Sequence, residues 1–160
     1  MEGVALQCGR QMIDRAVTPS SDEFIRRYYQ LYNERRIQEA AELFAPDAVL
    51  EHAPYGGPPA RGGAGYIASA ERSFDAFPNA HIQVLGIHSH GESTYDVDLL
   101  ATGTHRGLLD LGGYGRFEPT GLEVRVPHRE VIEIRNGLIV YASVTLDVDS
   151  LLAQLHARGR

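Results

Sequence analysis

The chain has 160 residues, a formal net charge of −6, 43% hydrophobic residues and 22% charged residues, the length of a single domain and the composition of a packed one. No run approaches the ~18 apolar residues of a membrane span, and the acidic balance argues against a nucleic-acid partner. A single cysteine, Cys8, excludes an internal disulfide and a cysteine metal cage, and the absence of lysine excludes Schiff-base chemistry and a Walker-type phosphate loop.

Residues 1–19 read as an N-terminal arm and 20–160 as one domain. Residues 1–20 lack the basic-then-apolar order of a secretory leader, so the expected location is cytoplasmic. Ser20 with Glu23 three residues on forms a capping box, and Phe24, Tyr28, Leu31 and Tyr32 recur at helical spacing, which predicts a helix over 21–34. A second helix is expected over 37–44, ended by Ala45-Pro46. Asp47–His52 reads as a strand, residues 53–65 as a Pro/Gly-rich loop and 64–77 as a helix. The period then changes. Residues 81–87, 93–104, 122–134 and 138–147 are rich in Val, Ile, Thr and Tyr and are separated by Gly, Asn and Ser turns, as in an antiparallel meander. A last helix is expected from Ser150 to Ala157, with Asp149 as its cap. Helices segregated from a run of antiparallel strands mean α+β. The natural arrangement is a curved antiparallel sheet with helices on its concave face, enclosing a pocket.

Five short motifs then fall in order. They are His52-Ala53-Pro54 (H-x-P), Gly103-Thr104-His105-Arg106-Gly107 (G-T-H-x-G), Pro119-Thr120-Gly121 (P-T-G), the turn Asn136-Gly137, and Asp147 followed by Gln154-Leu155. Through them, residues 21–156 resemble the SnoaL-like polyketide cyclases, a family within the nuclear transport factor 2-like cone fold. Ser143 stands where that family often has Trp, Tyr141 where it often has Glu, and the stretch between His105 and Pro119 is several residues longer.

The resemblance implies that Asp147 is the general acid/base of an intramolecular aldol ring closure, without metal or cofactor. A base within hydrogen-bond reach of an α-proton can do this, and an apolar pocket raises a carboxyl pKa so that it can return the proton. The other reading of Asp147 is that it ends a strand and caps the last helix. Which residues share its face depends on the turn. A two-residue turn pairs Arg135 with Leu138 and puts Val126, His128, Glu130 and Ile132 beside Asp147. A glycine bulge pairs Ile134 with Leu138 and puts Arg129 and Glu133 towards the pocket, near Tyr141, Ser143 and Asp147; the habit of the family favours the bulge. The opposite face of the last strand (Leu138, Val140, Ala142, Val144, Leu146) is wholly apolar and must be covered. A second copy of the chain is the expected cover, giving a homodimer through the convex face.

Of the histidines, His52 and His105 fall on motifs and are the pocket candidates, each with a structural role as the alternative. His81, His88, His90 and His156 read as surface residues, and no metal site is expected. Tyr32 could present its hydroxyl to a substrate carbonyl, and Phe74, Phe77 and Phe117 are candidate apolar walls. The expected function is therefore a cofactor-independent cyclase or isomerase for a small hydrophobic carbonyl compound of polyketide type. One alternative is epoxide opening or hydration, using Asp147, Glu133 and Arg129. The other is a non-catalytic ligand-binding or accessory module.

Overall fold

The computed structural model describes residues 20–53 and 58–156. The expected N-terminal arm, Pro54 of the H-x-P motif and Ala157 lie outside the described residues. Helix α1 (Ser21–Asn33) starts at its capping residue: the Ser20 hydroxyl accepts the Glu23 amide at 3.1 Å, satisfying a first-turn N–H that has no partner within the helix. Its buried stripe is Ile25, Tyr28, Tyr29 and Leu31. Helix α2 (Ile37–Ala41) is shorter than expected, because the chain is already extended at Phe44. Strand β1 (Phe44–Ala53) breaks register between Phe44 and Val49, where Pro46 has no N–H to give to a ladder. Then follow β2 (Ala60–Arg61), α3 (Gly62–Ala76), β3 (His81–Ser89), β4 (Thr94–Thr104), β5 (Leu109–Asp110), β6 (Arg116–Phe117), β7 (Glu123–Arg135), β8 (Leu138–Leu146) and α4 (Val148–His156).

The main sheet has six strands in the order β2-β1-β8-β7-β4-β3. β3, β4, β7 and β8 form the expected antiparallel meander, while β1 joins it parallel to β8. The β7–β8 turn combines both expected arrangements. Asn136 and Gly137 both have positive φ, 52° and 76°, as a two-residue type I′ turn requires, and Arg135 pairs with Leu138. A bulge in β8 then shifts the register, so that Glu133 pairs with Tyr141, Val131 with Ser143 and Arg129 with Thr145. Arg129 and Glu133 therefore do share a side with Tyr141 and Ser143, but it is the outer side of the sheet. The helix-covered side carries Val124, Val126, His128, Glu130 and Ile132 from β7, and Ala142, Val144 and Leu146 from β8. Of the apolar set of β8 expected to meet a second copy of the chain, Ala142 and Leu146 are buried in the chain's own clusters, Val144 lines the cavity, and Leu138 and Val140, beyond the bulge, are half-buried.

Two apolar clusters hold the layers together. The larger one packs α1, α2 and α3 on the sheet around Ile25, Leu31, Leu99, Ile132 and Ile139. The smaller one joins α4 (Val148, Leu151, Leu155) to Val124, Val126, Leu146 and Leu111. Burying each such side chain contributes ~1.5–3 kcal/mol before chain entropy is subtracted.

Most of the motifs prove to be fastenings of this frame. The Thr104 amide donates to the Asn79 side chain at 2.7 Å, and Asn79 donates back to the Thr104 hydroxyl. His105 joins the G-T-H-x-G and P-T-G segments: its ring Nδ1 accepts the Thr120 amide at 3.3 Å, and its carbonyl accepts the Gly121 amide at 2.8 Å. At Gly107 a Cβ would lie 1.8 Å from the Asp75 carbonyl oxygen, so only glycine lets the chain pass the end of α3 this closely. Gln154 bonds both the amide and the carbonyl of Arg125 at 2.8 Å, latching α4 to β7. Asp147 is the cap of α4: its carboxylate accepts the Ser150 amide at 3.0 Å, which moves the helix start ahead of the expected Ser150 and replaces Asp149 in that role.

Candidate active site

Between the two clusters lies a cavity of two connected chambers. The outer one, about 470 Å³, is walled by Arg72 and Ser73 of α3, by Phe77 just beyond its end, by the β4 and β7 ends and by Leu108–Leu111 of the long loop. The inner one, about 160 Å³, is lined by Tyr28, Tyr29, Tyr66, Leu50, Leu99, Ala142, Val144 and Glu130. Tyr32, His52, Ser69, Ser73, Ile82, His128 and Leu146 line both, and so form the waist between them.

The strand register explains which polar groups reach this space. His52 pairs with Val144, and Val144 pairs with Glu130, so one row across three strands sets His52 and Glu130 about 10 Å apart, Cα to Cα, with a small apolar residue between them. His128 lies two residues from Glu130 and therefore on the same face.

Glu130 is 3% exposed. Tyr29 donates to one carboxyl oxygen at 2.6 Å and Tyr28 to the other at 3.2 Å. Burial drives its pKa up to about 7, while the two hydroxyls favour the ionised form and hold it from rising further. Burial and then the Glu130 charge push Tyr28 and Tyr29 upward, so both hydroxyls keep their protons. Burial does the same at Tyr66. At His128, Nδ1 lies 3.1 Å from the Val126 carbonyl. A carbonyl can only accept, so Nδ1 carries the hydrogen and Nε2 keeps a free lone pair. Burial lowers the His128 pKa, as it does at His52, where the Arg72 charge adds to the effect. Both rings are therefore neutral bases at pH 7. The assembly can donate hydrogen bonds to an oxygen at its inner end and remove a proton beside it. Among the described residues no group of three or more His, Cys, Asp or Glu side chains could hold a metal ion.

The sequence-derived candidates divide. His52, Tyr32 and Phe77 line the cavity. Phe74 lines neither chamber; its ring centroid lies 4.8 Å from that of Tyr32, and the Arg35 guanidinium lies over its ring at 3.9 Å. Phe117 packs on His156 in the smaller cluster. His105 is fully buried against Phe77 and ties the loop, without lining either chamber. Asp147 is exposed at the head of α4 and lines neither chamber. The other four expected pocket residues lie on the outer face. There Arg129 pairs with Asp98 at 3.2 Å, Glu133 with Arg135 at 3.0 Å, and the Tyr141 hydroxyl donates to Glu51 at 2.7 Å, with Ser143 alongside. The trio Asp147, Glu133 and Arg129 expected for epoxide opening thus faces away from the cavity. His128 and Glu130 belong to the expected alternative register; of the first-helix tyrosines, whose hydroxyls could serve a substrate carbonyl, Tyr28 and Tyr29 reach the site as well as the favoured Tyr32, while Tyr66 and Arg72 were not expected there. A signal for the first pair was present: Val124, Val126 and Ile132 alternate with them, and an apolar alternation marks the covered face of a sheet.

Known proteins agree with this frame. The SnoaL-like domain family matches residues 25–142. No curated protein matches the sequence. Among solved structures, the chain is 26% identical to IdmH of Streptomyces antibioticus, a candidate polyketide cyclase, with a TM-score of 0.70 over 85% of this chain and 98% of that one. AclR of Streptomyces galilaeus, a candidate hydroxylase, is 20% identical with a TM-score of 0.68 over 82% of this chain and 92% of that one. SalBIII, an epoxide hydrolase/cyclase-like enzyme of pyran ring formation in the polyether salinomycin, is 18% identical with a TM-score of 0.64 over 81% and 92%. A Catenulispora acidiphila protein of ketosteroid isomerase-like fold is 17% identical with a TM-score of 0.68 over 84% of this chain and 93% of that one, and the family match spans most of the chain: the chain belongs to the SnoaL-like family.

Proposed function

We propose that the chain is a cofactor-independent cyclase or isomerase for a hydrophobic carbonyl compound of polyketide type. Its acid–base groups are Glu130 and His128, in place of the expected Asp147. The observation that carries this reading is the buried Glu130 carboxyl at the inner end, bonded by Tyr29 and Tyr28, with the free Nε2 of His128 on the same face.

A substrate carbonyl oxygen in the inner chamber accepts hydrogen bonds from protonated Glu130 and from the Tyr66 hydroxyl. His128 Nε2 removes an α-proton, and the enolate is held by those donors. In ring closure, the enolate carbon attacks a second carbonyl of the same molecule. One C–C bond forms, and the new alkoxide takes the proton back from the His128 imidazolium. In isomerisation the proton returns to a different carbon. Either way the side chains end as they began, and only a rearranged substrate leaves. His52, across Val144 from Glu130, orients the polar part of the substrate at the waist.

The test is α-proton exchange in deuterium oxide, followed by NMR on a panel of aromatic β-keto esters. Acceleration above buffer by the wild type, reduced by Glu130→Gln and by His128→Gln, supports the reading. Acceleration that both variants retain would sink it.

A further inference from the structure

Among the described residues the outer chamber is lined by one arginine, Arg72, and no carboxylate pairs with it. Arg72 is an exposed residue of α3 that lines the chamber at its rim, and its Nη2 donates to the Ser69 hydroxyl at 3.2 Å. Ser69 lines both chambers, so this contact brings the guanidinium to the waist. A guanidinium has five N–H donors in a planar fork, and this contact uses one. Asp75, one turn along α3, also lines the outer chamber but forms no ion pair with Arg72 among the described residues. The Arg72 charge adds to burial in lowering the pKa of His52, which lines both chambers.

We propose that the natural substrate is an apolar carboxylic acid rather than a neutral ester, its carboxylate held at the waist by the Arg72 fork. This rests on the reading of the cavity as the substrate site. The planar fork of Arg72 matches a carboxylate two oxygens at a time, which no neutral ester can reproduce. A carboxylate there pairs with the guanidinium beside a neutral His52. The anchored group then fixes how far the rest of the molecule reaches into the inner chamber, where Glu130 and His128 meet the reacting carbonyl.

The experiment compares two probes of nearly equal shape, 2-naphthoate and its methyl ester, titrated against the full chain and followed by naphthalene fluorescence. The wild type should bind the acid at least about fivefold more tightly than the ester. Arg72→Gln should bring the acid down to the ester's affinity and leave the ester unchanged, and high salt should narrow the wild-type preference. Arg72→Lys should keep part of it, since it retains the charge without the fork. Equal binding of the two probes, or a preference that survives Arg72→Gln, overturns the carboxylate anchor and leaves the acid–base reading standing. If neither probe binds, the anchor and the use of the cavity fail together.

Discussion

The two faces of β7 carry similar residues and put them to opposite uses. On the helix side stand His128 and the carboxyl of Glu130; on the outer side stand Arg129 and the carboxyl of Glu133. The outer groups face water and pair with Asp98 and Arg135. The inner carboxyl loses its water, takes two tyrosine hydroxyls instead, and titrates near neutrality. One residue of strand register therefore separates a solvated ion pair from a proton-transfer group. What makes a carboxyl chemically useful here is its surroundings rather than its residue type.

The largest effect expected of that difference is on rate. Glu130→Gln should slow α-proton exchange by about two to four orders of magnitude, whereas Glu133→Gln should stay within about twofold. Equal losses at the two would erase the distinction between the faces. His128→Gln should cost about two orders of magnitude. In the wild type the rate should rise with pH as His128 deprotonates and fall as Glu130 ionises near pH 7; in Glu130→Gln the falling limb should vanish.

Stability sharpens the same contrast. The folded pKa of Glu130, about 7, is raised above the ordinary carboxyl value of 4.5. The folded state therefore binds the proton more tightly than the unfolded chain. The resulting stability is fully present below about pH 4.5 and is lost as pH rises through about 7. Urea unfolding should show the wild type roughly 3 kcal/mol less stable at high pH than at low pH from this group alone. Glu130→Gln should flatten that dependence; Glu133→Gln should leave it unchanged. Smaller again is Asp147→Ala, which removes the cap of α4 and should cost about 1 kcal/mol without slowing exchange. A large rate loss there would return Asp147 to the chemistry. The least effect is expected from Arg129→Ala, where an exposed ion pair is broken for less than about 1 kcal/mol.

Motif positions and chemical positions are largely different sets in this molecule. Thr104, His105, Gly107, Thr120, Asp147 and Gln154 fasten loops and helices to the sheet. His52 alone among the motif residues discussed for chemistry reaches the cavity. A close backbone passage or a two-sided amide latch restricts residue type as strongly as a reaction does, so a short motif does not tell fastening from catalysis.

By itself the sequence determined the α+β class, the cap at Ser20, the helix over the first tyrosines, the four-strand meander and the tight Asn136-Gly137 turn. Each of these rests on local periodicity or local backbone geometry. It also contained two alternating sets on β7 and an apolar set on β8. Only the tertiary structure decided which sets face inward. A bulge in β8 separates the register from the turn that starts it, and Ala142 and Leu146 of β8 are buried in the chain's own apolar clusters. That placement buries Glu130 and exposes Asp147, because a side chain's dielectric surroundings come from elements distant in sequence.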